Sequence, residues 1–214
     1  MPVAARLGLA GLIIVVALAV ALWPRDSNDS AHEQRVRPTS QATGQLRDEA
    51  GLAPCPRPAA DTVDAGARAA ITAGALAAIT ATCLADGQPL DLAVALAGRP
   101  ALLNLWAYWC GPCAQELPYL QQYAQRAGNA ITVLTVHSDP DEAKALSRLT
   151  GLGVTLPGVL DPSAAVRTAV GAPSVLPISV LLRADGSVAE VVVRSFTGVD
   201  DITDTVAARL GVRA

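Results

Sequence analysis

The sequence predicts an α/β domain in which a central mixed sheet is flanked by helices, with an N-terminal hairpin extension. Three observations predict it. The apolar run Ala101–Ala107 has the character of a strand buried on both faces, a helical segment Gly111–Arg126 follows, and Ala130–Val136 is a second such run. Strand, helix and strand in that order imply a parallel crossover. Ile178–Leu182 and Val188–Val193, joined by the turn Ala184-Asp185-Gly186-Ser187, read as an antiparallel hairpin. Ala78–Leu84, an Asp86-Gly87 turn and Pro89–Leu92 read as another hairpin ahead of the crossover.

Each remaining element has a local reason. The helix after Ala101–Ala107 is interrupted by Pro118, which removes one backbone donor and predicts a kink. Asp139-Pro140-Asp141-Glu142 ahead of Ala143–Leu146 is a helix start, with acids in the first turn and proline at an early position. Asp161-Pro162-Ser163 opens a shorter helix in the same way, and Asp200–Leu210 reads as a terminal helix. Hydrophobic residues make up 51% of the 214 residues while aromatics are only 3%, so the core is built from Leu, Val, Ala and Ile. The formal net charge is −3 and no basic block appears, which removes the electrostatic footprint of a nucleic-acid binder.

The N-terminal part divides by composition. Residues 1–6 form a short stub ending in Arg6, followed by the uncharged apolar stretch Leu7–Trp23. About 17 apolar residues suffice, at the short end, to span a bilayer and are long for the core of a signal peptide. Arg6 and the amino terminus bias the stub toward the cytoplasm and the body toward the outside. An uncleaved anchor is the expectation; a cleaved signal is the alternative, although Ala17-Leu18-Ala19 lies inside the run and not after it. Residues 24–53 are polar, without helical or strand period, and are expected to be a flexible extracytoplasmic tether ahead of a folded domain over 54–214; Gln45–Ala50 could form a turn of helix, but too few apolar residues recur there.

Trp109-Cys110-Gly111-Pro112-Cys113 is the motif that carries chemistry. It sits where a buried strand passes into a helix. A thiol at the first turn of a helix faces unpaired N–H groups and the positive end of the macrodipole, which favour thiolate. Cys110 is thus the candidate nucleophile. Cys113 lies one turn further on, close enough to close a disulfide ring and release a substrate held as a mixed disulfide, and is the candidate resolving thiol.

With the motif, its setting and this element order, the chain resembles the thioredoxin superfamily, and within it the membrane-anchored TlpA/ResA/CcmG branch of thiol-disulfide oxidoreductases. The resemblance covers roughly Cys83 to Leu210 and rests on LLNLWAYWCGPCAQELP, Leu102–Pro118. It implies a thioredoxin-like fold. Asn104 stands where thioredoxins place a buried aspartate, and Glu116 matches a glutamate implicated in proton handling. An i, i+3 spacing puts Glu116 on the helix face of Cys113, where its carboxylate could accept the proton that Cys113 must lose. A solvated glutamate that stabilises the helix dipole is the other reading. Leu176-Pro177 matches the superfamily's cis-proline loop, with Pro173 as rival, and the resemblance implies that Leu176, Pro177 and Trp109 contact the substrate.

Cys55 and Cys83 remain. In an exported chain whose other pair is committed to the active site they are expected to form a structural disulfide, closing a loop worth on the order of 3 kcal/mol. Two free thiols or a second redox couple are the alternatives. No metal and no cofactor is implied: one CxxC without a second close pair argues against zinc. His137 reads as strand-end packing and His32 as solvent-facing.

The expected activity is reduction of disulfides in protein substrates, with apocytochrome c maturation as one consequence of the resemblance. A membrane electron donor of the CcdA or DsbD type would then be required, and the domain would stand outside the cell membrane on its single span. Donation of disulfides to exported proteins, or non-catalytic docking on the Trp109 and Pro177 surface, are the alternatives.

Overall fold

Residues 43–57 and 73–213 are described by the structure, a computed structural model. The stub, the apolar stretch 7–23 and the tether as far as residue 42 lie outside the described residues. Among the described residues no helix is long and apolar enough to cross a membrane.

The expected tether ran to residue 53, but residues 43–50 form helix α1. Leu46 and Ala50, one turn apart, and the following Leu52 pack onto the main core. Arg47 donates to Glu142 Oε1 from Nε at 2.9 Å and from Nη2 at 2.7 Å, and the Ala53 N–H donates to the Thr155 carbonyl at 2.8 Å. The apolar face of α1 is two side chains wide, too narrow to register as a period. Tertiary contact and not propensity makes it a helix.

Strands β1 (Thr80–Cys83) and β2 (Pro89–Asp91) form the first hairpin. Its turn uses Gly87 at φ +72°, a backbone conformation that favours glycine, and the Arg47 guanidinium lies over it. Asp91 ends β2 and caps helix α2 (Leu92–Ala95) by accepting from the Val94 N–H at 3.0 Å; the return strand is one residue shorter than the sequence suggests. Strand β3 (Ala101–Trp106) has all six residues buried. Helix α3 (Gly111–Ala127) runs through Pro118 without ending, burying Cys113, Glu116, Leu117, Leu120 and Tyr123. Each fully buried leucine there contributes roughly 2 kcal/mol.

Strand β4 (Thr132–His137) pairs parallel with β3, Asn104 lying opposite Thr135 and Trp106 opposite His137. Helix α4 (Glu142–Leu152) starts as expected, with Asp141 accepting from the Lys144 N–H at 3.1 Å. Strand β5 (Gly158–Leu160) is absent from the sequence reading because three residues carry no measurable alternation. Helix α5 (Ala165–Ala169) is short, and buried Asp161 accepts from its Ala165 and Val166 N–H groups at 2.9 Å each. Strands β6 (Ile178–Leu182) and β7 (Val188–Val192) form the second hairpin, and helix α6 (Val199–Leu210) closes the chain.

The seven strands form one mixed sheet in the order β2-β1-β5-β4-β3-β6-β7. The first hairpin joins it through antiparallel pairing of β1 with β5, Thr82 opposite Leu160 and Cys83 opposite Val159. Helices α1, α3, α4 and α6 cover one face, where Leu102, Trp106 and Leu181 point. Helices α2 and α5 cover the other, with Leu103, Leu105, Val136 and Val180 beneath them. Such a sheet covered on both faces explains the unbroken apolar runs of β3 and β4. The architecture is the thioredoxin-like α/β fold.

Candidate functional site

Strand β3 ends at Trp106 and delivers Cys110 as the N-cap of α3. Its extended backbone (φ −79°, ψ 105°) turns the sulfur back over the helix, where Sγ accepts from the Cys113 N–H at 3.2 Å. Pro112 lies in the first turn, where its missing N–H costs no helical hydrogen bond. Cys110 and Cys113 are joined as a disulfide with their Cα atoms 5.3 Å apart. Cys113 is wholly buried and Cys110 is 5% exposed, while Gly111 and Pro112 between them face solvent. A helix N-terminus of this kind favours the thiolate form of a thiol placed at its cap.

Glu116 is on the buried face of α3, and its exposure is 0%. That burial excludes the reading as a solvated first-turn glutamate. Oε1 accepts from Asn104 Nδ2 at 2.5 Å and Oε2 from the Phe196 N–H at 2.8 Å. Asn104 Nδ2 also lies 3.3 Å from Ser179 Oγ, its neighbour across the β3–β6 pair. Burial pushes the Glu116 carboxyl up to about 7, against the two hydrogen bonds and the Arg194 charge, which lower it. A carboxyl placed there changes protonation near neutral pH.

The Leu176-Pro177 peptide bond is cis. Ile178 pairs with Leu105, so Pro177 emerges at the end of the sheet from which the Cys110 loop leaves. Leu176 is half-buried against both cores, and its neighbour Val175 is 50% exposed. Trp109 is 60% exposed, with its indole Nε1 donating to Asp139 Oδ2 at 3.0 Å. Asp139 also accepts from the Asp141 N–H at 2.9 Å, and these two donors hold its carboxyl below the usual range.

His137 is buried with its Nε2 accepting from the Tyr108 N–H at 3.2 Å and its ring edge-on to Trp106, and burial lowers its pKa. It packs the strand end under the motif loop. Among the described residues, no group of three or more His, Cys, Asp or Glu side chains could hold a metal ion. Cys55 and Cys83 are bonded to each other, Cα atoms 6.1 Å apart, beneath α2 on the face of the sheet away from α3.

Several residues join the site only through the tertiary fold. Phe196 contributes a backbone N–H, which no residue type can signal. Asp139 reads locally as a helix-start acid, and its bond to Trp109 spans 30 residues. Ser179 reads as one polar interruption of an apolar strand; its alternation with Ile178 and Val180 was the signal that it faces α3 with Asn104.

The Redoxin family profile matches residues 66–208. The thiol-disulfide oxidoreductase ResA of Bacillus subtilis is 30% identical over 113 residues, which are 52% of this chain and 62% of that protein. The thiol:disulfide interchange protein DsbE of Yersinia pestis is 39% identical over 67 residues, 31% of this chain and 34% of that one. The chain thus spans less than two thirds of the length of these relatives. Among solved structures, a secreted Mycobacterium tuberculosis disulfide oxidoreductase homologous to E. coli DsbE superposes with TM-score 0.52 at 29% identity, covering 61% of this chain and 95% of that one. DsbF from the same organism gives TM-score 0.55 at 27% identity, covering 63% and 96%.

Proposed function

Since the chain belongs to the Redoxin family, we propose that it is a thiol-disulfide oxidoreductase that reduces disulfides of protein substrates outside the cytoplasmic membrane. The observation that carries this is the Cys110–Cys113 pair at the start of α3, with Cys110 Sγ capping the helix and a buried carboxyl on the Cys113 face. Similarity to proteins named ResA and DsbE supports the same chemistry.

The reduced pair begins the cycle. Cys110 thiolate attacks one sulfur of a substrate disulfide, forming a mixed disulfide and expelling the other substrate sulfur as thiolate. Glu116 carboxylate takes the Cys113 proton, and Cys113 attacks Cys110 Sγ. The second substrate thiolate leaves, two electrons have passed to the substrate, and the Cys110–Cys113 disulfide remains. Trp109, Leu176 and Pro177 frame the approach to Cys110. The apolar stretch Leu7–Trp23 after Arg6 supports a membrane anchor. A membrane dithiol donor of the CcdA or DsbD type would restore the thiols, and apocytochrome c is a substrate consistent with the ResA likeness.

Trapping and potential measurements test this reading together. Cys113→Ser is expected to accumulate substrates as mixed disulfides on Cys110, and Cys110→Ser to trap none. A Cys110–Cys113 reduction potential in the range of strong oxidants would reverse the direction and favour disulfide donation, and a pair inert to thiol exchange would leave only a docking module.

A further inference from the structure

The loop between β7 and α6, residues 193–198, has no regular structure, yet it supplies the backbone donor to Glu116 Oε2. The Phe196 ring, buried in the main core, anchors its middle, and one carboxylate holds its flanks. Asp201, in the first turn of α6, accepts the Arg194 fork at 2.7 and 2.8 Å, the Thr197 N–H at 3.0 Å and the Thr197 hydroxyl at 3.2 Å. Arg194 and Thr197 flank Phe196, whose ring is buried with the Arg194 guanidinium 5.1 Å from its centroid. The loop is therefore pinned on both sides of the Phe196 N–H that bonds Glu116.

From this geometry we infer that the surface pair Arg194–Asp201 is a latch that positions the Phe196 N–H on Glu116, making both residues positioning residues for the proton-handling carboxyl. The inference rests on the proposed role of Glu116. Asn104 from β3 and the Phe196 N–H bond Glu116, Arg194 and Asp201 act on it through space, and Cys113 lies one turn back on the same buried helix face. Asn104 is in turn within 3.3 Å of Ser179 on β6.

Sign separates a latch from a simple charge effect. Through space, the Asp201 carboxylate raises the Glu116 pKa and the Arg194 cation lowers it. Removing the Asp201 charge alone would thus lower the Glu116 titration point. Opening the latch does the opposite, because Oε2 loses the N–H that favours its charged form and Arg194 is freed to swing away.

The test is a pH titration of the Glu116 side-chain carboxyl by 13C NMR in the full chain labelled at glutamate, the resonance assigned by its loss in Glu116→Gln. Asp201→Asn is expected to raise the midpoint by about one pH unit, the effect of losing one hydrogen bond to a buried carboxylate. A lowered or unmoved midpoint overturns the latch. Arg194→Lys keeps the charge and loses the bidentate fork. It is expected to raise the midpoint too, an unmoved value again overturns the latch, and it carries the test if Asp201→Asn does not fold. The carboxyl signal reports the latch whether or not Glu116 moves a proton. Failure of the proton role shows separately, as an unchanged pH profile of thiol exchange in Glu116→Gln.

Discussion

Asn104 on β3 holds the Glu116 carboxylate of α3 at 2.5 Å through its side-chain amide, in a site where both residues are fully buried. An amide can donate there without adding charge. A carboxyl at the same position would compete with Glu116 for ionisation, and the two could not both be charged.

That competition can be measured. Replacing Asn104 by Asp is expected to raise the upper carboxyl titration of the site above 7 by at least about one pH unit, because two adjacent buried carboxyls share their last proton. Carboxyl 13C shifts followed from pH 4 to pH 10 check it, and a single step left near 7 contradicts it.

The buried Glu116 also makes stability depend on pH. Its folded pKa of about 7 exceeds its ordinary 4.5, so the folded state holds a proton that the unfolded state has lost between those values. Its contribution is fully present below about 4.5, falls as pH rises to about 7 and is lost above, by roughly 3 kcal/mol at most. Urea denaturation at pH 4.5 and 7.5 measures this, and Glu116→Gln is expected to flatten the difference.

Removing the Cys55–Cys83 bond by Cys55→Ala with Cys83→Ala is expected to destabilise the protein by about 3 kcal/mol, the loop-closure entropy of a 28-residue separation. Thiol exchange at Cys110 is expected to survive at temperatures where the variant is folded, because this bond lies on the opposite face of the sheet. Thermal denaturation with an exchange assay distinguishes the two effects.

Arg47→Ala removes the half-buried ion pair that fastens α1 to α4. The cost is expected to be about 1 kcal/mol, concentrated in α1. Amide hydrogen exchange should then quicken over 43–50 with little change in β3 and β4, and uniform acceleration would argue against a locally fastened strap.

The strands β3, β4, β6 and β7, the crossover helix and the motif at its start were legible because their causes are local. Apolar runs announce buried strands, Asp-Gly marks turns, and a CxxC at a strand-to-helix junction carries its chemistry with it. The first hairpin was legible too, but its attachment to the sheet was not, since β5 is three residues long and pairs with β1 across more than seventy. Helix α1 has no such local cause, because two apolar side chains are no pattern until a core is there to receive them.

What the sequence by itself determined is the kind of reaction centre: two thiols one turn apart, ahead of them a buried strand, behind them a helix whose dipole favours thiolate. Only the tertiary structure decided the state of the acid beside them. Glu116 has the same letter and spacing whether solvated or buried; its pKa follows from desolvation by the sheet, an amide from β3 and an N–H from a loop eighty residues away. Desolvation and long-range hydrogen bonds belong to the folded arrangement, and no local pattern encodes them.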